Sequence, residues 1–184
     1  MAPPQAIIRP ALPADLKAVA EIFEHYVSHT VITFEQTPPP AADWQRRLDD
    51  LAARGMPFLV AERSGDVAGY AYAGPWRAKP AYRYTVENSI YLAPDLTGMG
   101  LGSALLGALV DRCAAAGFRR MIAVIADSGS RASLTLHERF GFTHAGRLTG
   151  VGHKHGRWID TVLMERALTP FTSHDIRQGV KARR

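Results

Sequence analysis

Four groups of residues in this chain have the types and spacing to do chemistry. Thr97-Gly98-Met99-Gly100-Leu101-Gly102-Ser103 sets three glycines at alternate positions. Such a turn brings several backbone N–H groups to one point with no side chain in the way, and a helix starting behind it adds its positive dipole end. That is a cradle for a pyrophosphate, although a plain turn has the same composition. Glu87 stands in the middle of an apolar, β-branched run, where a carboxylate fits poorly unless it lines a cavity. His137, four residues before Gly141, reads either as a packed or surface histidine or as a proton donor and hydrogen-bond partner. Arg77, Lys79 and Arg83 cluster after Gly74-Pro75, and Lys154-His155 follow on a later turn. Guanidinium forks suit carboxylate and similar oxyanions, while a solvated basic loop looks alike. Trp76 and Phe34 could close the aliphatic part of a pocket or belong to the core.

Other chemistries are excluded by what is missing. A P-loop would end its glycines in Gly-Lys-Ser/Thr, and a dinucleotide fold would place them after the first strand with an acid about 20 residues on. Neither pattern is present, nor is a zinc-ligand spacing, so no metal is expected. With 184 residues, 47% of them hydrophobic, the chain fits one domain with a sizeable core. The formal charge is +5, which suits an anionic partner. Part of that excess lies in Arg177, Lys181, Arg183 and Arg184, and no basic stripe alternates with stacking aromatics. Nucleic acid is therefore not expected as a partner. No run is long enough to span a bilayer, and Met1 to Pro10 lacks an export pattern. The single cysteine, Cys113, fits a cytoplasmic protein.

The elements that must position these groups follow from periodicity and punctuation. Ala6-Ile7-Ile8-Arg9, closed by Pro10, reads as a first strand. Pro13 and Asp15 open a helix with Leu16, Val19, Ala20, Phe23 and Val27 on one face. Residues 30–34 are irregular and Pro38-Pro39-Pro40 must be extended. Asp43 is placed to cap a second helix carrying Trp44, Leu48 and Leu51, which Gly55 and Pro57 end. Strands over 58–61 and 67–73 flank a Ser64-Gly65-Asp66 hairpin turn, and 84–92 is a strand stopped at Pro94. A long helix runs from about 100 to 116 and is closed by Gly117. A strand over 121–126, a short helix over 131–140 ended by Gly141, and strands over 142–148 and 158–165 complete the pattern. The order β-α-α-β-β-β-α-β-α-β-β describes one α/β domain over 1–168, followed by a basic tail over 169–184.

The glycine turn resembles the acetyl-CoA loop of the GNAT N-acetyltransferases, whose pattern is Gln/Arg-x-x-Gly-x-Gly/Ala. Thr97 takes the first position, and Gly100 and Gly102 keep the register. Ile90-Tyr91-Leu92-Ala93-Pro94 matches the strand that precedes that loop in the family. Ser130, Ser133, His137 and Gly141-Phe142 fall on the family's Asn-x-x-Ala-x-x-x-Tyr-x-x-x-Gly-Phe helix, with histidine in place of the tyrosine that often protonates the departing thiolate. From about residue 8 to 168 the chain resembles the phosphinothricin and methionine sulfoximine N-acetyltransferases, which also carry histidine there. The specific strings are Thr33-Phe34 with Pro38, Ala71-Tyr72-Ala73-Gly74-Pro75-Trp76-Arg77-Ala78-Lys79, Tyr84-Thr85-Val86-Glu87, Leu136-His137-Glu138 and Gly152-His153-Lys154-His155-Gly156-Arg157-Trp158.

That resemblance implies a GNAT fold, a mixed and mostly antiparallel central sheet with flanking helices, and acetyl-CoA as co-substrate. It implies cofactor contacts at Ile90, Tyr91, Leu92, Gly98, Met99, Gly100, Leu101, Gly102, Ser103 and Ser130. Substrate contacts fall at Phe34, Trp76, Arg77, Ala78, Lys79, Arg83, Glu87, Asn88, Ser89 and Lys154. It also implies a homodimer, and the aromatic, proline-rich segment 33–40 is the element expected at or near the shared edge. Acetyl transfer from a thioester needs the amine deprotonated, the oxyanion held and the thiolate accepted. An α-amine has a pKa of roughly 8 or above, so Glu87, directly or through water, can serve as general base. His137 would donate a proton or orient Glu87 or the sulfur, and backbone N–H groups near Tyr91-Leu92 would hold the thioester oxygen. The expected activity is acetylation of the α-amine of a phosphinothricin-, methionine sulfoximine- or methionine sulfone-like compound in a ternary complex. The alternatives are another amine, such as a protein N-terminus or an antibiotic, and a non-catalytic acyl-CoA-binding domain. Glu87 argues against the last, because a binder needs no base.

Overall fold

The computed structural model describes residues 6–169; the expected basic tail lies outside them but for its first residue. Strand β1 (Ile7–Pro10) leads through a short turn to helix α1 (Leu16–His29), whose Leu16, Val19, Ile22, Phe23 and Val27 are buried. Helix α2 (Ala41–Ala53) buries Trp44 and Leu51. Pro40 is its N-cap, so Asp43 does not cap it; Asp43 stands in the first turn and pairs with Arg46. An extended residue before a helix is what proline's fixed φ favours, which moves the cap three residues ahead of the expected one.

Strands β2 (Phe58–Arg63) and β3 (Asp66–Pro75) form a hairpin. Ser64 (φ 55°) and Gly65 (φ 91°) both take the left-handed region, as a two-residue type I′ turn requires. Strand β4 (Thr85–Leu92), helix α3 (Leu101–Ala115), strand β5 (Arg120–Ala126) and helix α4 (Ala132–Arg139) follow. The chain ends in a long hairpin of β6 (Thr143–Lys154) and β7 (Arg157–Ala167). β6 does not stop at Leu148 as the pattern suggested. Gly150 (φ 59°) bulges there, and its N–H donates to Asp160 Oδ1 at 2.7 Å, so the strand continues past the irregularity. Lys154 accordingly closes a strand, and His155-Gly156 form the turn.

The sheet has seven strands in the order β1-β2-β3-β4-β5-β7-β6. Only β4 and β5 are parallel, and they pair only at Thr85↔Arg120, Val86↔Met121 and Glu87↔Ile122. Beyond Glu87 the two strands part. Helices α1 and α2 cover one face, where Phe23 and Trp44 meet an aromatic cluster of Phe58, Tyr70 and Tyr91. Helices α3 and α4 cover the other, with Leu105, Leu106 and Leu109 fully buried. A buried carboxylate secures the start of α1: Asp15 accepts from both terminal nitrogens of Arg9 and from the Leu12 N–H. The Arg9 guanidinium holds the Asp15 carboxyl below the usual range.

Candidate active site

The alternation of an antiparallel ladder decides which amides of β4 are free. Trp76 N donates to Thr85 O and Ala93 N to Ala68 O, bracketing the β3–β4 pairing with bonds between directly opposed residues. Odd-numbered residues of β4 therefore turn their backbone groups to β3 and even-numbered ones toward β5. Because the β5 ladder ends at Glu87↔Ile122, the N–H groups of Ile90 and Leu92 face a gap instead of a strand. The carbonyl of Leu92 is met there by the Tyr26 hydroxyl at 2.8 Å. The amides suited to an incoming oxygen are thus those of Ile90 and Leu92. That of Tyr91, expected in this role from the sequence, is spent on β3.

The glycine turn stands just past that gap. Gly98 (φ 77°) and Gly100 (φ 81°) hold left-handed backbone that other residues avoid. Gly100 is the N-cap of α3, and the first bond into the helix is Ala104 N to Gly100 O. The N–H groups of Leu101, Gly102 and Ser103 are left pointing out of the helix end, and no acidic residue stands in that first turn. Gly102 packs close, since a Cβ there would meet Leu136 at 3.3 Å. Met99 is exposed, and its sulfur takes a contact of 3.1 Å from Arg63 Nη1. Arg63 thus brings a cation beside the turn from 36 residues away, which no sequence spacing signalled. Thr97 folds back on the Pro94 carbonyl at 3.3 Å. Ser130 is exposed and its hydroxyl accepts from the Ala132 N–H at 3.3 Å at the start of α4. It borders a cavity of about 140 Å³ with Arg131, Leu134 and Arg147.

Successive side chains of β4 point to opposite faces. Glu87, Ser89 and Tyr91 share the α1–α2 face with their partners Gly74, Tyr72 and Tyr70. Glu87 is half-buried; burial pushes its carboxyl up, and the nearby Arg77 guanidinium partly offsets this. A raised carboxyl is better matched to an amine whose proton it must accept. Gly74 opposite leaves room, because a Cβ there would meet only the Tyr72 ring, at 4.0 Å. Arg77 stacks on Trp76 with its guanidinium 4.7 Å from the ring centre.

Asn88 lies on the other face, and there it meets His137. The ring Nε2 is 3.1 Å from Asn88 Oδ1, Nδ1 is 2.7 Å from the Ser133 carbonyl, and Asn88 Nδ2 donates to Ile122 O at 3.2 Å. The Ser133 carbonyl can only accept, so Nδ1 carries a proton, and with Asn88 oriented as it is Nε2 is asked to donate too. That pattern favours the imidazolium, whereas burial of the ring, 3% exposed, lowers its pKa. His137 does not reach Glu87, since the sheet stands between them. Asn88, expected at the substrate, instead pins His137 and spans the first step of the gap.

The basic residues separate. Arg77, Ala78, Lys79 and Arg83 are exposed on the loop between β3 and β4. Arg83 rests over Tyr84 and donates to the Pro80 carbonyl. Lys154 is 4% exposed, and its ammonium donates to the Thr33 carbonyl at 2.9 Å and the Tyr26 carbonyl at 3.5 Å. It therefore holds the segment after α1 in place and has no face toward a ligand. Phe34 in that segment packs so tightly on Gly152 that a Cβ there would come within 2.2 Å of the ring. A cavity of about 570 Å³ opens beside this segment between Ser28, Thr30, Ile32, Ser128, His155 and Arg157. Of the basic residues singled out in the sequence, His155 lines it.

Residues 8–163 match the acetyltransferase (GNAT) domain. The chain belongs to the GNAT acetyltransferases. It is 47% identical over 84% of its length to a phosphinothricin N-acetyltransferase of Alcaligenes faecalis, covering 78% of that protein. It is 42% identical over 91% of its length to the L-methionine sulfoximine/L-methionine sulfone acetyltransferase of Pseudomonas aeruginosa, covering 98%. Among solved structures, a GNAT superfamily phosphinothricin acetyltransferase from Sinorhizobium meliloti in complex with acetyl-CoA superposes with a TM-score of 0.86 at 44% identity. That match covers 91% of this chain and 94% of the other. The GNAT enzyme is an acetyl-CoA-dependent transferase.

Its residues fit that co-substrate. The acid-free start of α3, with its outward N–H groups and two left-handed glycines, has the donors and the open backbone that would hold a pyrophosphate. The gap between β4 and β5 leaves backbone groups for an extended arm. When bound, acetyl-CoA supplies an activated acetyl group on a thioester. The N–H groups of Ile90 and Leu92, unpaired toward β5, are the ones that would hold the thioester's carbonyl oxygen. The GNAT enzyme holds no group of three or more potential metal ligands among the described residues.

Proposed function

We propose that this enzyme acetylates the α-amino group of a small glutamate- or methionine-like amino acid of the phosphinothricin, methionine sulfoximine or methionine sulfone type, by direct attack in a ternary complex. One observation carries the reading: a half-buried carboxylate, Glu87, stands on the strand whose free amides border the acetyl site, with an arginine beside it. Glu87 accepts the proton of the attacking amine, directly or through water. Arg77 supplies positive charge where the α-carboxylate of an amino acid would lie, next to its amine. The names of the relatives support this substrate class. An amine panel assayed for acetyl-CoA-dependent thiol release tests it: turnover is expected with amino acids of this class, and preferential turnover of peptide N-termini would overturn it.

We further propose one catalytic domain through residue 168, acting in the cytoplasm as a homodimer. Among the described residues no helix is long and apolar enough to cross a membrane. Cys113 is buried with its thiol pushed up to about 12, which keeps it unreactive. The dimer is supported by exposed apolar side chains on the last hairpin and the segment after α1: Leu148, Val151, Trp158 (73% exposed), Ile32 and Phe34. Light scattering that gave only a 20.1 kDa species at micromolar concentration would exclude it.

A further inference from the structure

We propose that Arg47 is the specificity-determining cation of the amine site, binding the anionic or strongly dipolar oxygens at the far end of the amino acid's side chain. The inference rests on the substrate reading above and names the group that reads the substrate's head.

Arg47 is set apart from the other cations of its helix. Arg46 pairs with Asp43 and Arg54 with Asp50, both on the exposed side, while Asp49 takes Gln45. Arg47 is half-buried and has no carboxylate partner among the described residues. Its guanidinium lies 4.7 Å over the Trp44 ring and 5.3 Å from the Tyr72 ring, and Nη1 donates to the Tyr72 hydroxyl at 3.1 Å. Burying a cation without a counter-charge is costly, and two aromatic faces offset only part of that cost. The same faces hold the planar group in a fixed orientation, with most of its five N–H donors unspent. A guanidinium so placed is prepared to receive an oxyanion in forked geometry.

Its location says which oxyanion. Tyr72 pairs across the ladder with Ser89, and Glu87 is the next residue of β4 on that face. Arg47 therefore overlooks the surface that holds the catalytic carboxylate, about one two-residue step of roughly 7 Å further along. The Tyr91 hydroxyl registers both groups, since Arg47 favours its ionisation and Glu87 opposes it. An amino acid with its amine at Glu87 and its α-carboxylate near Arg77 extends its side chain over Tyr72 toward Arg47. A phosphinate, sulfoximine or sulfone oxygen at the end of a two-carbon spacer reaches about that far. Arg77 and Arg47 thus divide the substrate's two polar ends.

The test compares phosphinothricin and methionine sulfone, which carry head-group oxygens, with norleucine, which carries none. Steady-state kinetics with saturating acetyl-CoA would use the wild type, Arg47→Met and Arg47→Lys, with acetyl-CoA affinity by calorimetry as the check on folding. In Arg47→Met the KM for both oxygen-bearing substrates should rise roughly 10–100-fold, the loss expected for charge-assisted hydrogen bonds. Norleucine KM, all kcat values and acetyl-CoA affinity should stay within about twofold, and Arg47→Lys should fall between. KM values that rise by one common factor for all three substrates, or that do not rise at all, would overturn the assignment and leave Arg47 a packing residue. A wild type that acetylates none of the three overturns the substrate reading itself, and the inference with it.

Discussion

The two faces of β4 carry different chemistry. On one, Glu87, Ser89 and Tyr91 open toward an aromatic cluster ringed by Arg47, Trp76 and Arg77. On the other, Asn88 and Leu92 pack against α3 and α4, and the titratable group there, His137, is sealed and bonded at both nitrogens. The strand's edge toward β5 belongs to neither face and offers free amides past Glu87. On the proposed function, a period of two residues assigns substrate handling to odd positions and support to even ones, and the parting of two strands is where the acyl donor would enter. Such a division needs no domain boundary, only one strand that loses its neighbour halfway along.

The comparison breaks first if Glu87 is not the base. Glu87→Gln keeps the shape and removes the proton acceptor, so kcat should fall roughly 10²–10⁴-fold. In the wild type kcat should fall as pH drops through the Glu87 pKa, which burial raises, and activity is present above it. In the variant that limb should vanish, with part of the rate recovered at high pH as more amine is deprotonated. Turnover near wild type at pH 7 would remove Glu87 from the mechanism.

A second test addresses the edge and the turn behind it. Gly100→Asp imposes a side chain on a φ of 81° and puts negative charge at the start of α3. Acetyl-CoA affinity should fall about 100-fold or more, from strain and repulsion together. Calorimetry on the folded variant decides this, and unchanged binding would remove the cradle.

Much of this was legible in the sequence, for identifiable reasons. Glycine and proline punctuate nearly every element, so the order of seven strands and four helices could be read, and the glycine turn announced the start of α3. The bulge at Gly150 could not be read, because it depends on an Asp160 ten residues away across a hairpin. Lys154 looked like a ligand in a basic turn, and only the fold shows it spent on the carbonyls after α1. His137 and Asn88 lie 49 positions apart, so their bond had no local signal, and the parity that separates Glu87 from Asn88 tells nothing about which helices cover each face. Arg46 and Arg47 are adjacent arginines with opposite fates, set by a rotation of about 100° around α2.

A third test concerns the sealed face. Asn88→Ala removes the acceptor at His137 Nε2, which favours the protonated ring. The His137 pKa, already lowered by burial, should move further down, with a loss of turnover of about tenfold or less. An NMR titration of the ring protons reads the shift directly. A ring that titrates alike in both proteins would show that Asn88 does not govern it.

The smallest expected effect separates the two exposed arginines of the open face. Arg77 lies close enough to Glu87 to favour its ionised form, whereas Arg83 rests on Tyr84 and on the Pro80 carbonyl with no coupling to that carboxyl. Removing Arg77 leaves burial unopposed, so the Glu87 pKa rises further and the acid limb of kcat/KM moves to higher pH. Both arginines are solvent-exposed, and screening keeps such effects small. Arg77→Gln should raise KM for the amino acid by roughly 3–10-fold and shift the limb upward. Arg83→Gln should change KM by about threefold or less and leave the limb in place. Profiles of kcat/KM between pH 6 and 9.5 at low and high salt distinguish them, because the Arg77 shift is electrostatic and should shrink as salt rises. If instead Arg83→Gln raised KM more than Arg77→Gln, the α-carboxylate would lie further along the loop than the geometry of Glu87 implies.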